Sequence, residues 1–210
     1  MLSEPTRPEH LFSPRSLEET PALRVIGQLM ESYILAEGDG GLFIIDQHAA
    51  HERILFERFY REAEKASLQS QALLFPITLD FSPDEAVMVA EHLDLLRQIG
   101  MEIEPFGPRT FVIRAIPHTI RLDEAETLVG DLLGELKREG SAMEKRDRAL
   151  HTMACRAAVK FGDRLSPEDM TALIQALESM PRRNVCPHGR PNILFVSDEG
   201  LRKAFKRTGF

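Results

Sequence analysis

This chain has few cysteines and no excess of basic over acidic residues. Its 210 residues include only two cysteines, no tryptophan and two tyrosines, and the formal net charge is −7. Cys155 and Cys186 stand far apart in sequence, which is no disulfide framework, so we expect thiols in a reducing, cytoplasmic compartment. The acidic balance argues against a globally basic DNA-binding surface. Any affinity for duplex DNA should therefore depend on a local patch and be weak in the isolated chain.

Long apolar runs are absent as well. No stretch approaches the roughly 20 apolar residues of a membrane span, and the first residues do not resemble the apolar run of a signal peptide. Residues 1–21 contain four prolines among charged and small residues without a hydrophobic period, which is typical of a flexible linker. We therefore expect no membrane role and a folded chain from residue 22 onward.

The hydrophobic pattern after the linker predicts an α+β fold. Strand-like runs occupy residues 23–29, 32–36 and 42–45, and the glycine-rich turn at 37–41 predicts a hairpin between the second and third runs. Apolar residues then recur at helical spacing, which predicts a helix over residues 48–65. The first part of the chain should thus form a sheet that leads into a helix.

Residues 78–142 read as a compact β-α-β-β-α insertion. Ser82 and Glu85 have the spacing of a capping box, and Gly100 is suited to end the helix that Ser82 begins. The flanking segments, 22–77 and 143–210, should then form one subdomain around the insertion. In the second flank we expect helices at 148–161 and after Ser166, a strand at 193–196 and a last helix ending at 205–207.

A polar cluster follows the apolar run at 42–45 directly. Because helical residues four apart lie on one face, His48 and Glu52 can point at a common ion, and Asp46 can join them from the turn. Glu57 lies about 140° round the helix from Glu52, so pairing with Arg53 or a supporting role suits it better. Each residue also has an explanation that needs no metal. Glu52 alone could be a charged side chain in solvent on the surface of the helix, and His48 alone could be an ordinary histidine at the start of a helix.

A second cluster lies near the end of the chain. Cys186 and His188 stand two residues apart in a loop that prolines and a glycine stiffen. Thiolate and imidazole ligands together with carboxylates suit zinc better than magnesium, which prefers oxygen. The two clusters could hold one or two ions, although Cys186 alone also fits a small core residue.

Four motifs occur along the chain. Residues 46–57 read D-Q-H-A-x2-E-x4-E, residues 154–156 read A-C-R, residues 186–191 read C-P-H-G-R-P and residues 205–207 read F-x-R. Together they closely resemble the C-terminal domain of the MutL family of DNA mismatch repair proteins, of the kind that carries a nicking endonuclease. The resemblance covers about residues 22–210. It implies a dimerisation and endonuclease subdomain with an inserted regulatory subdomain.

The resemblance also implies a set of site residues. The metal ligands would be Asp46, His48, Glu52, Cys186 and His188, the first three with catalytic roles. Near the site, as support or for positioning phosphate, would lie Glu57, Cys155, Arg156, Arg190 and Arg207. Cys155 shares a helix face with His151, and a buried core thiol is the alternative reading of this cysteine. Zinc is expected as the resident ion, with manganese or magnesium as catalytic partners, whereas ATP would belong to an N-terminal domain that this chain lacks.

A further stretch resembles the family's motif for the replicative sliding clamp. It spans residues 71–76 and includes Gln71, Leu73, Leu74 and Pro76. A glutamine with apolar neighbours on an edge segment can dock into a hydrophobic groove. The alternative is an edge strand whose leucines face the core, and the two readings are compatible if different side chains face each way.

These observations predict a homodimeric, metal-dependent endonuclease that nicks duplex DNA in mismatch repair. The resemblance implies a bacterial protein near the nucleoid, with the mismatch-recognition protein MutS as a partner of the full-length protein. The alternatives are a non-catalytic dimerisation and clamp-docking module with a regulatory or structural zinc, and a purely structural zinc module.

Overall fold

The computed structural model describes residues 23–66, 68–180 and 191–207, and it confirms the α+β class. The strands are β1 (Arg24–Leu29), β2 (Tyr33–Gly38), β3 (Gly41–Asp46), β4 (Ser70–Asp80), β5 (Glu102–Pro105), β6 (Thr110–Pro117) and β7 (Ile193–Ser197). The helices are α1 (Gln47–Glu64), α2 (Pro83–Glu91), α3 (Leu93–Gln98), α4 (Ala125–Leu136), α5 (Ala142–Ala157), α6 (Pro167–Glu178) and α7 (Asp198–Ala204), and a 3₁₀ turn (Leu122–Glu124) precedes α4. Within these described ranges, no helix is both long and apolar enough to cross a membrane.

The chain divides into two compact units. The first contains the residues up to Ile54 and those from Val159 onward, and the second is Leu55–Ala158. The second unit is longer than the predicted insertion at 78–142, because its core also includes side chains of α1 and α5, among them Phe59 and Met153.

The first unit is built on an antiparallel sheet in the order β1-β2-β3-β7. The predicted hairpin joins β2 to β3 through the two-residue turn Asp39-Gly40, where Gly40 adopts φ 78°, a value at which side-chain-bearing residues are strained. Its core lies on one face of the sheet, where β2 and β3 residues such as Ile34 and Phe43 pack with Leu177 of α6.

Apolar side chains also occupy the opposite face of this sheet. Strand register sets Leu35 beside Ile44 and Ile44 beside Leu194, in a row that alternates with the core residues. Leu35 and Ile44 are half-buried, Leu194 is 37% exposed and Ile26 on β1 is 55% exposed. We call Leu35, Ile44 and Leu194 the outer row.

The second unit contains a sheet in the order β4-β6-β5 with the helices α2 to α5. The single helix predicted after Ser82 is interrupted at His92, whose backbone is not helical. Helix α5 begins at Ala142, earlier than predicted, because Ser141 and Glu144 form a capping box. It ends at Ala157, since Ala158 turns the chain into an extended conformation, and α7 likewise ends at Ala204, before the predicted end.

Candidate metal centre

Asp46 is fixed where β3 ends and α1 begins. Its Oδ1 accepts a hydrogen bond from the backbone N–H of Ala49 over 2.9 Å, in the manner of a helix cap. Its own backbone N–H donates to the carbonyl oxygen of Asn192 over 2.9 Å. A carboxylate can accept several hydrogen bonds or bind an ion. The Asp46 side chain could therefore take a further partner at the start of α1.

His48 and Glu52 lie one helical turn apart, as the spacing predicts. His48 Nε2 is 3.5 Å from Glu52 Oε2, and the Glu52 side chain is only 5% exposed. The other ring nitrogen of His48, Nδ1, lies 2.8 Å from the carbonyl oxygen of Val159. A carbonyl only accepts hydrogen bonds, so Nδ1 of His48 carries a proton, and Nε2 is the ring nitrogen that faces the carboxylate.

His51 contacts the same residue from its other side. The backbone N–H of Val159 donates to His51 Nδ1 over 3.1 Å. The pKa of His51 is lowered, first because the ring is buried and then because the positive charges of His48 and Lys160 disfavour a third one. A neutral His51 keeps Nδ1 available as an acceptor.

Gln47 is fully buried and joins three parts of the first unit. Its Nε2 donates to the carbonyl oxygens of Glu31 (2.9 Å), Lys160 (2.8 Å) and Asp163 (3.1 Å), and its Oε1 accepts from Gln28 Nε2 (2.6 Å). Sequence reasoning assigned no role to Gln47. The one feature of the sequence that could have indicated a role for Gln47 is its position between Asp46 and His48 in the first motif.

The arrangement within the first unit fits a divalent cation. The carboxylate of Glu52 and the imidazole of His48, 3.5 Å apart, are donors that zinc and manganese both accept, and Asp46 offers a further carboxylate at the start of the same helix. A backbone carbonyl holds the far nitrogen of the histidine, which is the usual way in which proteins orient a metal-binding imidazole. The donor set is therefore chemically suited to the ion that the sequence predicts.

Comparison with known proteins identifies the family of this chain. Residues 26–165 match the family described as MutL C terminal dimerisation domain. The chain belongs to this family. A DNA mismatch repair protein MutL from Symbiobacterium thermophilum is 42% identical over 208 residues, covering 95% of this chain and 33% of that protein. MutL proteins from Koribacter versatilis (40% identical, 89% of this chain, 29% of the relative) and Methanothrix thermoacetophila (38%, 89%, 34%) also match. The chain thus spans about a third of the length of these relatives.

The remaining motif residues of this MutL-family domain fall in several places. Cys186, His188 and Arg190 lie outside the described residues. Arg207 is described and exposed, just after α7. Glu57 is on the part of α1 that belongs to the second unit, and Cys155 is a half-buried residue of α5.

Arg156, next to Cys155, has a partner within the second unit. Its Nε donates to Asp131 Oδ2 over 2.6 Å, which ties α5 to α4. Of the two roles predicted for this residue, support or the positioning of phosphate, this ion pair favours support.

An aromatic pair borders His48 in the first unit. The ring of Phe161 lies 5.6 Å from the His48 ring and 6.2 Å from the Tyr33 ring, measured between centroids. Phe161 is 54% exposed, and the backbone N–H of the next residue, Gly162, donates to Glu31 O over 2.9 Å. The MutL-family domain therefore presents an apolar edge beside its candidate ligands.

The segment that resembles a clamp motif lies on β4, an edge strand of the second sheet. The pairing with β6 is irregular between Ala72 and Ile77, which lets side chains leave the regular alternation. Leu74 is 87% exposed and Phe75 is 81% exposed, whereas Leu73 packs against the core. Gln71 Nε2 donates to Ile120 O over 3.3 Å, and Pro76 is exposed. Leu73 of this segment therefore faces the core, whereas Leu74 and Phe75 face solvent.

Proposed function

We propose that this MutL-family domain is a metal-dependent endonuclease that nicks one strand of duplex DNA in mismatch repair. The observation that carries the proposal is the His48–Glu52 pair, in which an imidazole Nε2 and a buried carboxylate oxygen lie 3.5 Å apart on the helix that begins directly after Asp46. His48 is oriented by the carbonyl of Val159, so the pair is preorganised for a cation. A bound zinc or manganese ion would polarise a phosphate oxygen and lower the pKa of an attacking water.

The chain's own residues would hold and orient the ion. Asp46 and Glu52 would balance its charge, and neutral His48 would add a nitrogen ligand. Gln47 keeps the segment after α5 docked on the head of α1 through its bonds to Lys160 and Asp163. The chemistry requires such rigid support because a ligand displaced by about 1 Å loses much of its effect.

Cys186 and His188 complete the proposed ligand set. The chain enters β7 beside Asp46, since Asn192 accepts a hydrogen bond from the Asp46 N–H and Ile193 pairs with Ile45. In the sequence, Cys186 and His188 precede Asn192 by six and four residues. This proximity along the chain supports their assignment as ligands.

We propose that the domain acts as a homodimer through the outer row. A row of apolar side chains on a sheet face that the described part of the chain leaves accessible is the kind of surface that associating subunits bury. The family is described as a dimerisation domain, and the first unit carries this surface.

The exposed side chains of β4 support a second interaction, with a replicative sliding clamp. Leu74 and Phe75 offer apolar anchors on an edge strand, and Gln71 adds a polar group beside them. With a net charge of −7, the isolated domain would bind DNA weakly, so recruitment by the clamp or by the rest of a longer protein would aid cleavage. We place this activity in the bacterial cytoplasm, near the nucleoid, with MutS as an upstream partner of the full-length protein.

The proposal is tested by metal analysis of the purified protein together with an assay of supercoiled-plasmid nicking in manganese. Asp46→Asn should abolish nicking and leave the dimer intact. Nicking that is unchanged by Asp46→Asn would remove the proposed active site. A metal-loaded dimer that never nicks would favour the docking module. Loss of the whole fold in Cys186→Ser, or on chelation, would favour a structural zinc.

A further inference from the structure

Two imidazoles of α1 hold a single residue, Val159, from both sides. His51 Nδ1 accepts the Val159 N–H over 3.1 Å, and the Val159 carbonyl accepts the His48 Nδ1–H over 2.8 Å. The two histidines are three residues apart, so they lie on one face of the helix. Val159 follows Ala158, whose extended backbone ends α5. The N–H and the carbonyl of Val159 are therefore outside the helix and can form hydrogen bonds with side chains.

This arrangement fixes the tautomers of both rings. His48 must carry its proton on Nδ1, because its partner there is a carbonyl, whereas neutral His51 must carry its proton on Nε2, because its Nδ1 accepts. Nε2 of His48 is then the nitrogen on the side of Glu52, 3.5 Å away, and its lone pair can bind a cation once Nε2 carries no proton. With the proton on Nε2 instead, this nitrogen could not bind a cation.

We infer that His51 is a positioning residue of the metal centre, which holds Val159 so that its carbonyl fixes the tautomer and ring orientation of His48. The inference rests on the proposed function, since it assigns His51 to the support of the same site. His51 is not among the ligands that the motifs supply, because it occupies one of the two variable positions, x2, of the first motif. Its Nδ1 is engaged by a backbone N–H, so it acts through Val159 and His48.

The first test needs no substitution. In 15N-labelled, metal-free protein at about pH 8, where unperturbed imidazoles are neutral, long-range 1H–15N spectra report which ring nitrogen carries each proton. We expect the Nδ1–H form of His48 and the Nε2–H form of His51. The Nε2–H form of His48 in the folded protein would overturn the inference.

The second test uses a matched pair of variants and titration with zinc chloride. His51→Leu removes the acceptor, whereas His51→Asn retains an acceptor oxygen close to the position of Nδ1. We expect zinc affinity to fall about tenfold in His51→Leu, as for other residues that orient metal ligands, with His48 becoming a mixture of tautomers. His51→Asn should restore both the affinity and the Nδ1–H form of His48.

The outcomes separate this inference from the proposed function. Wild-type zinc affinity in a folded His51→Leu protein would overturn the positioning role alone. Absence of zinc binding in the wild-type protein would overturn the metal centre and the positioning role together. If His51→Leu does not fold, the wild-type tautomers and the His51→Asn titration still decide, because loss of affinity in His51→Asn with the His48 tautomer unchanged would contradict the inference.

Discussion

The side-chain amide of Gln47 donates to the carbonyl oxygen of Lys160 over 2.8 Å, and so joins residues that are 113 positions apart in sequence. The same nitrogen donates to Glu31 and Asp163, and Gln47 itself has no exposure to solvent. Gln47, which stands between Asp46 and His48, therefore has a structural role, and we expect the placement of these two proposed ligands to depend on it.

Replacement of Gln47 should lower the free energy of unfolding. Gln47→Leu keeps about the same volume but removes the hydrogen bonds of a fully buried amide to the carbonyl oxygens of Glu31, Lys160 and Asp163, so we expect a loss of about 3 kcal/mol in the free energy of unfolding. Chemical denaturation of the metal-free protein measures it. Gln175→Leu on the exposed face of α6 is the matched control and should change stability by less than about 0.5 kcal/mol. Equal, small effects of the two substitutions would contradict the connecting role.

Adjacent leucines of β4 should respond in opposite ways. Leu73 packs on the core of the second unit, so Leu73→Ala should cost about 1–2 kcal/mol, less than for a fully buried leucine. Leu74 is 87% exposed, so Leu74→Ala should leave stability within about 0.5 kcal/mol but weaken binding to an immobilised bacterial sliding clamp. Full clamp binding by Leu74→Ala would count against the proposed docking site.

The outer row should control the oligomeric state. Leu194→Arg introduces a charge that cannot be buried at an apolar interface without a partner. We expect sedimentation equilibrium to show a monomer for this variant and a dimer for the wild type. Val87→Arg, on the exposed side of α2 in the second unit, should remain dimeric. A dimeric Leu194→Arg protein would exclude this face as the interface.

Acid should remove the contribution of a helix cap. The pKa of Glu144 is lowered from 4.5, chiefly because its carboxylate accepts a hydrogen bond from the backbone N–H of Ser141, and also because it accepts one from the hydroxyl of Ser141. The folded state thus binds this proton less tightly than the unfolded state, so the cap stabilises the fold above pH 4.5 and loses this effect as the pH falls through the lowered pKa. Denaturation midpoints of wild type and Glu144→Ala should differ at pH 7 and converge in acid. Glu139→Ala, a neighbouring exposed residue, should give no comparable change, and a pH-independent gap for Glu144→Ala would refute the assignment.

Local patterns predicted much of the fold. The turn at 37–41 predicted the β2–β3 hairpin, and the capping box at Ser82 predicted the start of α2, because both depend on residues close in sequence. The spacing of His48 and Glu52 predicted that they meet on one face of α1, which the structure confirms.

Long-range contacts account for what the sequence did not reveal. The role of Gln47 depends on carbonyl groups of Glu31, Lys160 and Asp163, which no local pattern identifies. The end of α5 at Ala157 leaves Val159 to His48 and His51, so tertiary hydrogen bonds override the helical period that predicted an end at residue 161. The assignment of Cys186 and His188 to the metal stays a prediction, because they lie outside the described residues.

The most direct test compares nicking of supercoiled plasmid in manganese by the wild type, Glu52→Gln and Glu64→Gln. Both substitutions remove one negative charge from α1, but Glu52 is buried 3.5 Å from His48 Nε2, whereas Glu64 is the exposed last residue of the helix. We predict that nicking falls at least about 100-fold in Glu52→Gln, in line with the loss of one group that stabilises the transition state, and that Glu64→Gln retains the wild-type rate. Equal nicking rates for all three proteins would contradict a metal centre at Asp46, His48 and Glu52.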